Sequence, residues 1–192
     1  MVRYPAPMNL RSHPLLIGLM FQAALIPLAF FLAAIAGIPL GEHLHWDPDH
    51  ALIGVIAVLP MLAMLGLVAH FGGSAYDTLS GQVRDFIARL FGNAWPGAIL
   101  LISLLAGLGE ELLIRGVLQT WLDTHLPAFL AILIAGVIFG LAHAITRLYF
   151  AFATAIGLYL GLVYYLTDNL LVVIITHALY DWIVIHWYRR KL

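Results

Sequence analysis

Glu110, Glu111 and Arg115 stand inside Gly97–Leu122, an apolar stretch long enough to cross a bilayer. A single charged side chain at the centre of a membrane helix costs roughly 2.5–3.5 kcal/mol on insertion scales, so three together need partners or a task. On a helix Glu111 and Arg115 are four apart and share a face, with the acid on the N-terminal side, the better order for an ion pair. Glu110 is turned about 100° from its neighbour. One carboxylate can therefore neutralise Arg115 while the other faces a cavity. The competing reading is an ion pair that only fixes helix packing.

Two further apolar stretches carry pairs at the same spacing, Phe139 with His143 and His177 with Asp181, so that His143, His177 and Asp181 are polar groups at depth. The ends of each pair project from one helical face. A lone membrane histidine is more often a helix-to-helix hydrogen bonder than a catalyst. Two of them beside a Glu pair suggest a site. With no Cys in the chain and no Ser or Lys placed as an evident nucleophile, an acyl-enzyme route is disfavoured. Carboxylate plus imidazole suits activation of water. Glu110, His143 and His177 could alternatively be three ligands of a catalytic Zn²⁺ with one open position. The His-Glu-x-x-His pattern of soluble metalloproteases is absent. The metal-free version is preferred here, because only two His lie at depth and Glu111 is better used by Arg115 than by a cation.

The elements that must position these groups are membrane spans. Of 192 residues, 63% are hydrophobic and 10% charged, and mean hydropathy is +0.99, which excludes an ordinary soluble domain. Nothing in the net charge of -1 suggests nucleic acid as a partner. The expected fold is an all-α membrane bundle of about six spans in a single domain, 1–192. The first two spans are 15–40, kinked at Pro27, and 51–70. A polar loop, residues 41–50, lies between them; its His and acidic residues are read as solvated. Between residues 72 and 96, Leu79, Val83, Phe86, Ile87, Leu90 and Phe91 recur at helical spacing opposite Gln82, Arg84, Asp85 and Arg89, the pattern of an interfacial amphipathic helix. The remaining spans are 97–122, 127 to about 145, 149–166 and 170–187. The first span is longer than a usual signal-peptide core and is expected to be retained.

With the N-terminus in the cytoplasm, Arg3, Arg11, Arg84, Arg89, Arg147, Arg189, Arg190 and Lys191 all fall on the cytoplasmic side, and the outer loops hold acids only. Both termini are then cytoplasmic. Other classes that use intramembrane Glu, His and Asp are small proton- or metal-coupled transporters and non-catalytic immunity or scaffold proteins. No repeat relates the halves of the chain, as many transporters would show.

Glu110-Glu111-x-x-x-Arg115, Phe139-x-x-x-His143 and His177-x-x-x-Asp181, in that order on separate spans, resemble the three motifs of the CPBP (CAAX protease and bacteriocin-processing, or Abi) intramembrane endopeptidases. The resemblance covers about residues 95–187. It implies that Glu110 and His143 hold and activate water, that His177 and the residue at Asp181 stabilise an oxyanion, and that Glu111 and Arg115 support the site. Eukaryotic and archaeal CAAX enzymes carry Asn at the last position. An ionised Asp181 cannot donate to an oxyanion, so it would have to be protonated, orient His177 or bind metal. The implied partner is a membrane-embedded or lipid-tethered peptide, and the compact loops suggest a bacterial inner membrane.

Overall fold

The computed structural model describes residues 13–92, 94–95 and 97–192; the N-terminal lead, with Arg3 and Arg11, lies outside them. Every regular element among the described residues is helical. The helices are α1 (Pro14–Ala36), α2 (Pro48–Ile56), α3 (Val58–Phe71), α4 (Gly73–Phe91), α5 (Ala98–Glu111), α6 (Thr120–Asp123), α7 (Ala128–Ala142), α8 (Arg147–Thr167) and α9 (Leu170–Arg189). A π-helical segment, Leu112–Gln119, joins α5 to α6, so one helix runs unbroken from Ala98 to Asp123.

Four helical stretches are long and apolar enough to cross a membrane: Pro14–Ala36, Pro48–Phe71, Arg147–Thr167 and Leu170–Arg189. The outward faces of the first three carry Phe21, Phe31, Ile35, Leu59, Leu67 and Leu166, all exposed. Such a belt suits lipid and would be a liability in water.

Element ends follow from local chemistry. The first span stops at Ala36 rather than Leu40, because Gly37 takes a left-handed conformation (φ 68°) and its N–H bonds back to the Ala33 and Ala34 carbonyls. The second is interrupted at Ala57, three residues before Pro60, which lacks the amide to continue the ladder. Tyr159 donates to the Ala57 carbonyl at 2.8 Å, so the break is satisfied from α8. In the polar loop Asp47 caps α2 by accepting from the Asp49 N–H, and His50 Nδ1 lies 2.8 Å from its other oxygen. That hydrogen bond to His50 is the main reason the Asp47 carboxyl is held below its ordinary range. His43 pairs with Asp168 at 3.0 Å.

The amphipathic helix forms as α4 and buries Leu79, Ile87 and Phe91. Phe86, expected on the same face, is exposed instead. Ile87 and Phe91 pack with Ala98, Ile99 and Tyr188 in a small cluster apart from the main core.

Helices α7 and α8 cross where both present small residues. A side-chain carbon at Gly157 would fall 2.9 Å from the Gly136 carbonyl, and one at Gly140 would overlap Thr154. Close backbone approach of this kind drives association in lipid, where apolar burial alone contributes little. Gly107 seats α5 against Ala178 of α9 in the same way, and Gly109 seats it against Gln22 of α1. The charged helix is thus clamped between α1 and α9.

A candidate active site between buried and half-open carboxylates

The deepest part of the site is a cluster from three elements. Arg115 and Glu111 are both fully buried, and Arg115 Nη1 donates to Glu111 Oε1 at 2.9 Å. Arg115 Nη2 donates to the Gly157 carbonyl at 2.9 Å, and one turn on Gln119 donates to the Gly161 carbonyl. The missing side chains of Gly157 and Gly161 leave those carbonyls within reach. His177 of α9 meets the same carboxylate, with Nδ1 2.6 Å from Glu111 Oε1. A carboxylate paired to a guanidinium only accepts, so Nδ1 of His177 carries a proton. His177 Nε2 then faces Asp181, 3.7 Å from Oδ2.

Around this cluster lies a more open pair. Glu110 and His143 side chains are 15% and 27% exposed, against 0% for Glu111 and Arg115. His143 Nε2 stands 3.7 Å from Glu110 Oε2, too far for a direct hydrogen bond. Each partner is fixed from behind. His143 Nδ1 lies 2.8 Å from the Phe139 carbonyl, which can only accept, so Nδ1 holds the proton and Nε2 presents its lone pair. The same contact satisfies a last-turn carbonyl of α7, which ends at Ala142 rather than near Ile145. Glu110 Oε1 accepts from Gln22 Nε2 of α1 at 2.8 Å. Phe139 fills the space between the groups: its ring centroid is 4.9 Å from the Arg115 guanidinium, 4.4 Å from the His143 ring and 5.9 Å from that of His177.

Residues 92–183 match the family model described as type II CAAX prenyl endopeptidase Rce1-like, a span that includes Glu110, Glu111, Arg115, His143, His177 and Asp181. An uncharacterised protein of Bacillus subtilis (strain 168), YpbD, is 33% identical over 163 residues, covering 80% of this chain and 81% of that protein. The chain belongs to the Rce1-like family. No solved structure matches it. As a member of this protease family with a bundle of apolar helices, it is an integral membrane protein.

The family match leaves out α1, and so does not reach Gln22. Sequence reasoning missed this residue, although it is the one polar side chain in the 23 residues of α1. Tyr149, whose ring lies 6.1 Å from that of His143 at the start of α8, was missed as well and has no spacing signal. The six expected site residues all converge through the Glu111–Arg115, Glu111–His177, His177–Asp181 and Glu110–His143 approaches. Among the described residues no group of three or more His, Asp or Glu is disposed to hold a metal ion. His177 Nδ1 is taken by Glu111 at 2.6 Å, and its Nε2 lies 3.7 Å from Asp181. These residues do not fit a Zn²⁺ site, and no step below is routed through one.

Proposed function

We propose that this Rce1-like protein is an intramembrane endopeptidase in which Glu110 and His143 activate water against a peptide bond. One observation carries the reading. Glu110 Oε2 and His143 Nε2 face each other across 3.7 Å, each with its other polar atom already engaged. The two atoms are too close for a water between them, but one water set to the open side of the pair can bond to both. The water attacks the scissile carbonyl carbon while its proton passes to Glu110, and the carbonyl oxygen becomes an oxyanion. Collapse of the tetrahedral intermediate breaks the C–N bond, and Glu110 returns the proton to the departing amine.

His177 is the oxyanion partner in this scheme. Its Nδ1–H is fixed by Glu111, which Arg115 fixes in turn, so the ring cannot rotate as charge develops. When Nε2 is also protonated it can donate to the oxyanion; Asp181 Oδ2 is 3.7 Å away, beyond direct hydrogen-bond reach in the resting site and near enough to meet that proton on a small shift of its own side chain. This gives Asp181 an orienting role, one an amide in its place could share.

The substrate is a membrane-embedded or lipid-tethered peptide, processed in CAAX-type or in C-terminal sorting or bacteriocin-type fashion. Its bond must reach a site ringed by apolar helices, and the exposed belt lets it enter from the lipid. The positive charge distribution supports an orientation with both termini cytoplasmic.

The test uses purified protein in dodecyl maltoside and an internally quenched peptide bearing a farnesylated Cys and three apolar C-terminal residues. Glu110→Gln keeps the shape of the side chain and removes the base. It should lower cleavage by at least about a hundredfold. Cleavage within a few fold of wild type would overturn the assignment.

A further inference from the structure

We infer that Gln22 is a positioning residue of the active site, so that α1, outside the family match, completes the catalytic machinery. The inference rests on the endopeptidase reading above. Gln22 lies in a helix whose other side chains are apolar, where an amide is costly to hold. It makes one useful contact there, donating from Nε2 to Glu110 Oε1 at 2.8 Å. Its own Oε1 is buried with no hydrogen-bond partner, so the side chain is only half satisfied. A half-satisfied buried amide is a net cost to stability, and packing alone would be better served by Leu or Met.

The backbone is shaped for the same contact. The Gln22 carbonyl lies only 2.8 Å from where a side-chain carbon at Gly109 would stand, so Gly109 is what lets α1 lie close enough to α5. The consequence is orientation. A carboxylate has two equivalent oxygens and a free rotor. With Oε1 held by Gln22, Oε2 is left facing His143 Nε2, the two atoms to which the water must bond. Gln22 touches neither substrate nor water in this scheme; it acts through Glu110.

The test compares Gln22→Met, which keeps length and removes the N–H donor, with Leu25→Met on the same helix, which alters packing against Gly109 and leaves the donor. Gln22→Met should lower kcat roughly tenfold or more while KM changes less than about twofold, since only the geometry of attack is disturbed. Leu25→Met should leave both constants near wild type. A second readout needs no turnover: the difference infrared spectrum of wild type minus Glu110→Gln isolates the Glu110 carboxylate band. The same difference taken in the Gln22→Met background should show that band displaced. An undisplaced band overturns the inference whether or not the protein cleaves the probe. An unchanged kcat, or equal losses in Gln22→Met and Leu25→Met, does so too. If the band moves while wild type cleaves no farnesylated probe, the contact stands and the endopeptidase reading is what fails.

Discussion

Arg115→Met should destabilise the protein far more than Glu110→Gln, although both remove one charge at membrane depth. Arg115 and Glu111 are both inaccessible, and Glu111 Oε2 already has no hydrogen-bond partner. Without the guanidinium the carboxylate keeps only the His177 contact on Oε1, and the Gly157 carbonyl loses its donor. Breaking a buried pair from one side costs about 3–5 kcal/mol, because the remaining charge is stranded. For a chain of this length each kcal/mol moves the melting temperature by about 2–4 °C, so the expected fall is roughly 6–20 °C. Glu111→Gln strands the guanidinium and should cost a similar amount. The double variant strands neither charge and should lose clearly less than the sum of the two. Glu110→Gln is the control: that side chain is 15% exposed, and a Gln there can still accept from Gln22. It should melt within about 3 °C of wild type. The assay is helical circular dichroism against temperature in dodecyl maltoside. A melting point for Arg115→Met as close to wild type as that of Glu110→Gln would refute the reasoning, as would strict additivity in the double variant.

Three further outcomes follow from the geometry. Purified protein should hold close to no zinc per chain and should cleave equally well with or without chelator; near-stoichiometric zinc that is lost in His143→Ala would reverse the metal-free assignment. The chain has no Cys, so single Cys substitutions at His45, Asp85 and Arg190 can be labelled cleanly. His45→Cys should react with an impermeant maleimide from outside the cell, and the other two only from inside; labelling of Asp85→Cys from outside would overturn the orientation. Gly157→Leu should push α8 from Gly136 and withdraw the carbonyl that Arg115 uses, so it should lower both melting temperature and cleavage. Wild-type behaviour of Gly157→Leu would show the α7–α8 crossing to be looser than the contact distances require.

The helices were legible because lipid imposes long apolar stretches, and the turns between them carry the few Gly, Pro, Asp and Asn that end helices. The convergence of Glu110, Glu111, Arg115, His143, His177 and Asp181 was legible for the same reason: ionisable groups at depth must face one another. What periodicity could not reveal was a contact from a helix with no charge of its own. Gln22 is neutral, single and outside the motif-bearing half, so its role shows only when α1 is seated on Gly109. The early stop of α7 was also hidden. Ala144 and Ile145 are apolar beyond Ala142, but the His143 imidazole competes for the Phe139 carbonyl and ends the helix there.

The π-helical segment explains how one helix serves both halves of the site. On an α-helix each step of four residues drifts by about 40°, so Glu111, Arg115 and Gln119 would rotate progressively away from a straight neighbour. A wider turn, closed by i→i+5 bonds such as Thr120 N–H to the Arg115 carbonyl, reduces that drift. Arg115 and Gln119 can then both reach α8, where Gly157 and Gly161 offer carbonyls at the same spacing of four. Upstream, α5 remains regular and sets Glu110 off to the side of Glu111, toward α1 and His143. The change of helix type begins at Leu112, immediately after the adjacent carboxylates. The regular side places the half-open Glu110, and the widened side anchors its fully buried neighbour. Two identical side chains, adjacent in sequence, thereby acquire opposite surroundings, one half-open beside an imidazole and one locked to a guanidinium and a second imidazole.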